Sequence, residues 1–179
     1  MSTLDGQRSA QSDDGVVIRP ARVEDVDAVC AFGAAHVPPH YTPLIGAEAA
    51  RQQVTAWWRP EQIRAAVAAG RLLVADAPSG GVVGVAQYAV DASEAEIYKL
   101  YLDPGFREHG LGPRLIAAVT RSLPADVTRL CIEHFAGNAR AGAFYEREGF
   151  AVERVEPSAT GRSELDVVWR VRPAAGPRA

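Results

Sequence analysis

The sequence predicts a mixed α/β (α+β) domain, a largely antiparallel central sheet flanked by helices, and three observations point there. Two β-type runs at 71–77 and 82–90, separated by Pro78-Ser79-Gly80-Gly81, read as a hairpin, and a third strand follows at 97–102. From that strand onward, apolar runs of strand length alternate with helix-periodic segments, as crossover connections on a sheet do. The 179 residues, 47% of them apolar, suit one domain with its own core.

Taken in order, residues 1–14 are polar and small and are expected as a disordered lead-in to a single domain over 15–172, with a flexible tail at 173–179. A short β run at 16–19 stops at Pro20. Val26, Val29, Cys30 and Phe32 then recur at helical spacing, with Glu24 and Asp25 where the helix dipole favours acids. The segment HVPPHYTP at 36–43 is expected to interrupt the helix, because proline removes a donor and restricts the residue before it. Helical character returns over 47–58 and again over 60–69, where Gly70 supplies the stop. After the three strands, a helix opening at Gly112 ends near Pro124, and a strand spans 128–134. Asn138 then N-caps a helix that carries Ala141, Phe144 and Tyr145 on one side and ends at Gly149. Strands at 150–155 and 164–171 close the order, and no internal repeat is visible.

Composition removes several classes of function. A net charge of −3 with no Lys/Arg run leaves nothing to neutralise a nucleic-acid backbone, so no nucleic-acid partner is expected. Cys30 and Cys131 stand far apart, form no paired metal-ligand motif and cannot build a disulfide framework. No metal is expected. The first residues lack an apolar signal segment and no stretch has the apolar length of a membrane span, so the expected setting is the reduced cytoplasm, away from membranes.

Chemistry gathers at the join between strand 97–102 and the helix after it, where Arg107-x-x-Gly110-x-Gly112 stands. The first N–H groups of a helix lack internal partners and carry the positive end of its dipole, so a glycine-rich start exposes donors to an anion such as phosphate. Glycine there keeps side chains out of the way and allows a positive φ. By average residue usage an Arg/Gln-x-x-Gly-x-Gly/Ala pattern arises about once per thousand positions, and a plain strand-to-helix turn would satisfy it equally. Its position directly after a strand is the context a phosphate fingerprint requires.

A second motif lies one strand downstream: Asn138-x-x-Ala141-x-x-Phe144-Tyr145-x-x-x-Gly149-Phe150. Together, and in this order, the two resemble the cofactor-binding half of the GNAT superfamily, the N-acetyltransferases that move an acetyl group from acetyl-CoA to an amine. The likeness covers about 82–150, and the opening IRPARVEDVDAV is similar to the family's first strand and helix. The resemblance implies a mixed, mostly antiparallel sheet in which two parallel strands, one ending at Leu102 and one near His134, splay apart to form the acyl-CoA cleft. It implies that amides from Arg107 through Glu108, His109, Gly110 and Leu111 to Gly112 cradle the pyrophosphate. The edge of Leu100, Tyr101 and Leu102 would bond the pantetheine arm as an added strand, Asn138 would bond the same arm, and Ala141 and Phe144 belong to the same cofactor-binding motif. Pro113 departs from the pattern and removes one donor from the helix start.

Acyl transfer to an amine needs a neutral nucleophile, a donor for the developing oxyanion and a proton for the departing thiolate. The resemblance implies Glu96 as general base, four residues before Leu100, with Glu133 second, at a position where some relatives carry a histidine; a water chain is the third possibility. Strand alternation turns His134 to the opposite face, as a packed or capping histidine. The oxyanion donor is expected to be a backbone N–H near Leu100, where a bulge commonly distorts the family strand, and Tyr145 would protonate the thiolate. Cys131 reads as a small buried hydrophobe, not a nucleophile, so direct attack in a ternary complex is expected. The segment 36–58, with Tyr41, Trp57 and Trp58, is expected to set the choice of a small-molecule or peptidyl amine. Adjacent tryptophans cannot share one helix face, so one lines a pocket or interface, or both serve the core. The chain is expected as a monomer or homodimer. A non-catalytic acyl-CoA-sensing module of the same fold is the alternative, and a P-loop nucleotide binder is disfavoured by the missing Gly-Lys-Ser/Thr ending.

Overall fold

The computed structural model describes residues 15–107 and 110–174, so the expected lead-in at 1–14, the tail residues 175–179, and Glu108 and His109 lie outside the described residues. The chain runs through β1 (Val17–Pro20), α1 (Val26–Ile45), α2 (Ala47–Trp57), α3 (Pro60–Ala68), β2 (Leu72–Asp76), β3 (Val82–Asp91), β4 (Glu94–Leu102), α4 (Leu111–Ser122), β5 (Arg129–Phe135), α5 (Ala139–Arg147), β6 (Ala151–Glu156) and β7 (Val167–Pro173). Short 3-10 turns stand at Val23–Asp25, Pro104–Phe106 and Ser163–Leu165. The strands form one sheet in the order β1-β2-β3-β4-β5-β7-β6. Neighbours pair antiparallel except β4 with β5, which are parallel.

Helices cover both faces. One core lies between the sheet and the α4–α5 side, where Leu111, Leu115, Ile116 and Val119 of α4 meet Ile97, Leu130, Ile132, Tyr145 and Phe150. The other lies beneath α1 and α3, where Val26, Val29, Phe32 and Val37 meet Trp58, Ile63, Val74 and Val85. No helix among the described residues is long and apolar enough to cross a membrane.

Three elements differ from the sequence reading. The helix α1 does not stop at 36–43; it continues through Pro38, Pro39 and Pro43 to Ile45. Prolines there deny an N–H to the carbonyls four residues earlier, each at a cost of about 3 kcal/mol. The inner face compensates by burying Val26, Val29, Phe32, Gly33 and Val37, at about 1.5–3 kcal/mol for each large side chain. The strand β4 begins at Glu94, three residues before the expected start, because Asp91 pairs with Glu94 across a two-residue turn in which Ala92 adopts φ +49°. Such turns usually announce themselves by glycine or asparagine, and this one does not. Finally, β7 starts at Val167, after a 3-10 turn, and carries through Pro173, while Ala174 is buried and donates its N–H to the Thr128 carbonyl at 2.9 Å. The ordered sheet thus reaches into the segment expected to be loose.

Trp57 and Trp58 part at the end of α2, where Trp58 is the C-cap residue and leaves the helical backbone at φ −121°, ψ 29°. Trp58 is 4% exposed and packs on Phe32 and Tyr101, while Trp57 is 57% exposed. Gly33 is where α1 crosses Trp58, since a Cβ built there would stand 2.3 Å from the indole Cε3. Gly33→Ala is therefore expected to force the helix and indole apart and to lower stability by about 1–3 kcal/mol, as overpacked cores do. Urea unfolding followed by tryptophan fluorescence measures it, and an unchanged midpoint would contradict this packing.

Candidate active site

The parallel register between β4 and β5 runs from Glu94 opposite Arg129 to Ile97 opposite Ile132 and ends there. Beyond it β4 continues to Leu102 and β5 to Phe135, so the strands diverge and the β5-facing edge of residues 98–102 has no strand beside it. The divergence opens a cleft of about 470 Å³ lined by Leu100, Tyr101, Leu102, Arg107, Gly110, Gly112, Glu133, Asn138, Ala141, Phe144 and Tyr145, among others.

A bulge shapes the open strand. Gln87 pairs with Lys99 and Tyr88 with Ile97, leaving Tyr98 as the extra residue of β4. The bulge expected near Leu100 therefore lies two residues earlier. It shifts the side-chain alternation, so that Leu100 and Leu102 follow Ala95 and Ile97 onto the α4 side, while Tyr101 joins the core beneath α1.

The two motif glycines have different reasons. Gly110, the N-cap of α4, has φ +74° and nothing within 4 Å of a Cβ built on it, so it serves the left-handed turn and leaves open space. Gly112 serves packing, because a Cβ there would meet Phe144 Cζ at 2.9 Å. Arg114 makes the first helical bond, to the Gly110 carbonyl at 3.2 Å. The N–H groups of Leu111 and Gly112 thus precede any helical carbonyl, and Pro113 offers none. Arg107 stands at the same mouth, and its guanidinium is held below its ordinary pKa by burial and by the charge of Arg140. The sequence reading missed Arg140, which lies inside the second motif between Asn138 and Ala141 and lines the cleft.

Asn138 has both ends of its amide engaged. Its oxygen accepts from the Ala141 N–H at 3.2 Å, capping α5, and its nitrogen lies 3.1 Å from His40 Nε2. An amide NH₂ can only donate, so Nε2 of His40 accepts and the imidazole is neutral. Burial, then the charges of Arg107 and Arg140, hold the His40 pKa below its ordinary value. His40 sits in the proline-rich turn of α1 whose helical course the sequence hid.

Tyr145, 8% exposed, comes from the face of α5 that also carries Phe144. Its hydroxyl bonds no other described residue, and burial, with a smaller effect of Tyr41, raises its pKa well above the ordinary phenol value. Gly149 at φ +83° and the bond from the Phe150 N–H to the Tyr145 carbonyl, 2.9 Å, end the helix behind it. Opposite, Glu133 lines the cleft, and its carboxyl pKa is raised by burial and by the charges of Glu96 and Glu156. Glu96 is raised by burial and by Glu94. Its charge reaches Glu133, but Glu96 itself is absent from the cleft lining. Above Glu133 the Tyr41 and Tyr101 hydroxyls lie 2.9 Å apart, tying α1 to β4.

His134 faces away from Glu133, with its ring against Tyr145 and Nε2 accepting from Arg170 Nε at 3.0 Å. Its Nδ1 lies 2.9 Å from the Phe135 carbonyl, and burial lowers its pKa, so the lone pair a base would need is already occupied. Cys131 is buried, and its thiol pKa is pushed up to about 11 by burial and by Glu94, which leaves it protonated. No cluster of His, Cys, Asp or Glu among the described residues is arranged to hold a metal.

Residues 68–152 match the family described as acetyltransferase (GNAT) domain. The fold resembles that of the PaiA N-acetyltransferase from Thermoplasma acidophilum, solved in complex with coenzyme A, with a TM-score of 0.75 at 18% identity over 87% of this chain and 97% of that one. It also resembles Ard1 from Thermoplasma volcanium, with a TM-score of 0.67 at 19% identity over 90% and 99%, and an acetyltransferase from Thermus thermophilus, 0.62 at 19% over 88% and 96%. At these identities the likeness is one of fold. A search of curated proteins finds no match.

The electrostatics at the cleft mouth generate a titration test. The His40 midpoint, followed by NMR, is expected below 6.5, and Arg140→Gln should raise it by removing one of the positive charges that oppose protonation. An unmoved midpoint would place Arg140 away from the imidazole.

Proposed function

We propose that this chain, whose residues 68–152 match the acetyltransferase (GNAT) domain family, transfers an acetyl group from acetyl-CoA to an amine of a small molecule or peptide, by direct attack in a ternary complex. The observation that carries the reading is the divergence of β4 and β5 past Ile97 and Ile132, which leaves a strand edge, a helix start and the arginines Arg107, Arg140 and Arg147 facing one cleft. The residues present fit the cosubstrate. Open space above Gly110, the unpaired N–H groups of Leu111 and Gly112, and Arg107 with Arg140 suit a diphosphate. The free edge at Leu100, Tyr101 and Leu102 suits the amides of a pantetheine arm.

Acetyl-CoA supplies an acetyl group activated as a thioester; the chain supplies the rest. The incoming amine must lose a proton, and Glu133, in the cleft wall, is the carboxylate best placed to accept it, with Glu96 coupled to it through charge. Their raised pKa values strengthen both as bases relative to an exposed carboxylate. Backbone N–H groups beside the bulge at Tyr98 are the donors available to the carbonyl oxygen as charge develops on it. Tyr145 lines the cleft, and its hydroxyl bonds no other described residue. Burial makes its phenolate costly, so the hydroxyl stays protonated and can donate to the sulfur as the thiolate departs.

A thiol-release assay over a panel of amines tests this. The protein is expected to liberate CoA with at least one amine, and Glu133→Gln and Tyr145→Phe should each lower kcat by about a hundredfold or more while acetyl-CoA affinity stays unchanged. Because the base acts deprotonated, kcat/KM should fall as pH drops through the raised carboxyl pKa, and Glu133→Gln should flatten that limb. Tight CoA binding with no turnover over the whole panel would instead indicate a sensor of the same fold.

A further inference from the structure

Beside the cleft, β3 and β4 bury a polar chain that the acetyl-transfer reading does not use. Lys99 and Gln87 are each 5% exposed. Lys99 Nζ donates to Gln87 Oε1 at 2.8 Å, and Gln87 Nε2 donates to the Tyr98 hydroxyl at 2.6 Å. The ammonium faces no carboxylate among the described residues; it lies 5.5 Å from the ring centre of Trp58 and 5.0 Å from that of Tyr98. A buried cation without a counter-ion is expensive to keep, so the arrangement calls for a purpose.

The chain has a direction that hydrogen-bond chemistry fixes. An ammonium can only donate, so the oxygen of Gln87 must face Lys99 and its NH₂ must face Tyr98. Tyr98 Oη therefore accepts from Gln87, and its own O–H proton turns away from the chain. Tyr98 is the bulge residue of β4, is 41% exposed and lines the cleft within a few residues of the open edge. We propose that Tyr98 is a specificity-determining residue, whose hydroxyl, oriented by Lys99 through Gln87, donates to a hydrogen-bond acceptor on the amine substrate. The substrate class is an amine carrying a carbonyl oxygen close to its nitrogen, as in an α-amino amide or a peptide N-terminus, in preference to a plain alkylamine.

This inference rests on the acetyl-transfer reading. Lys99 and Gln87 are positioning residues; burial lowers the Lys99 pKa to about 8, so the forced amide orientation relaxes as pH rises through that value.

The test compares an α-amino amide with an alkylamine of equal length, in the unaltered protein and in Tyr98→Phe. The ratio between proteins for each substrate cancels the difference in amine basicity. Tyr98→Phe is expected to raise KM for the amide about five- to tenfold, leave its kcat and the acetyl-CoA affinity unchanged, and leave the alkylamine unaffected. Lys99→Met, where it folds, should reproduce the KM effect below pH 8 and lose it above. Equal KM changes for both substrates, or none, would overturn the inference while turnover by the unaltered protein upholds acetyl transfer. No turnover by the unaltered protein with the α-amino amide, alongside turnover of another amine of the panel, would also overturn the inference, and no turnover over the whole panel would defeat both.

Discussion

Two parallel strands that stop pairing after Ile97 and Ile132 are the constraint on which the rest of the structure depends. A strand edge inside a protein is normally satisfied by its neighbour, and here β5 departs toward β7 while β4 keeps only β3. The bulge at Tyr98 contributes to this geometry, since a bulge bends its strand and increases the twist. The start of α4, the first turn of α5 and the inner face of α1 are then drawn to the opening from three directions.

Packing, more than phosphate chemistry, sets several of the residues around that opening. Gly112 is small because Phe144 occupies the space a Cβ would take, and Gly33 because Trp58 does. The aromatic cluster of His40, Tyr41, Tyr101 and Phe135 joins α1 to the diverging strands by edge-on contacts, with the Tyr41 and Tyr101 hydroxyls bonded across it. Charge is sorted along the cleft as well. Arg107 and Arg140 stand where α4 and α5 begin, while Glu133 feels the charges of Glu96 and Glu156. Such a separation suits an anionic donor at one end and a cationic amine at the other.

Local signals in the sequence read well wherever the cause was local. The left-handed turn at Gly110, the cap at Asn138, the stop at Gly149 and the alternation that turns His134 from Glu133 each follow from one residue's own chemistry, and each stands in the structure. What misled was a local rule overridden from outside. Three prolines argued against helix at 36–43, yet burial of the inner face holds α1 through them and brings His40 and Tyr41 to the cleft. Arg140 stood inside a recognised motif at a position where any residue fits the pattern. Lys99 and Gln87 carried no signal, being polar residues twelve apart on two strands that only the bulged register brings together.

By itself, then, the sequence determined the fold class, the strand-to-helix join at Gly110 and the helix boundaries at Asn138 and Gly149, because these depend on periodicity and on the dihedral and capping preferences of neighbouring residues. Only the tertiary structure decided where β4 and β5 part, which of Glu96 and Glu133 lines the cleft, and which buried groups face one another. Those outcomes are sums over contacts between residues far apart in the chain, and no single stretch of sequence contains them.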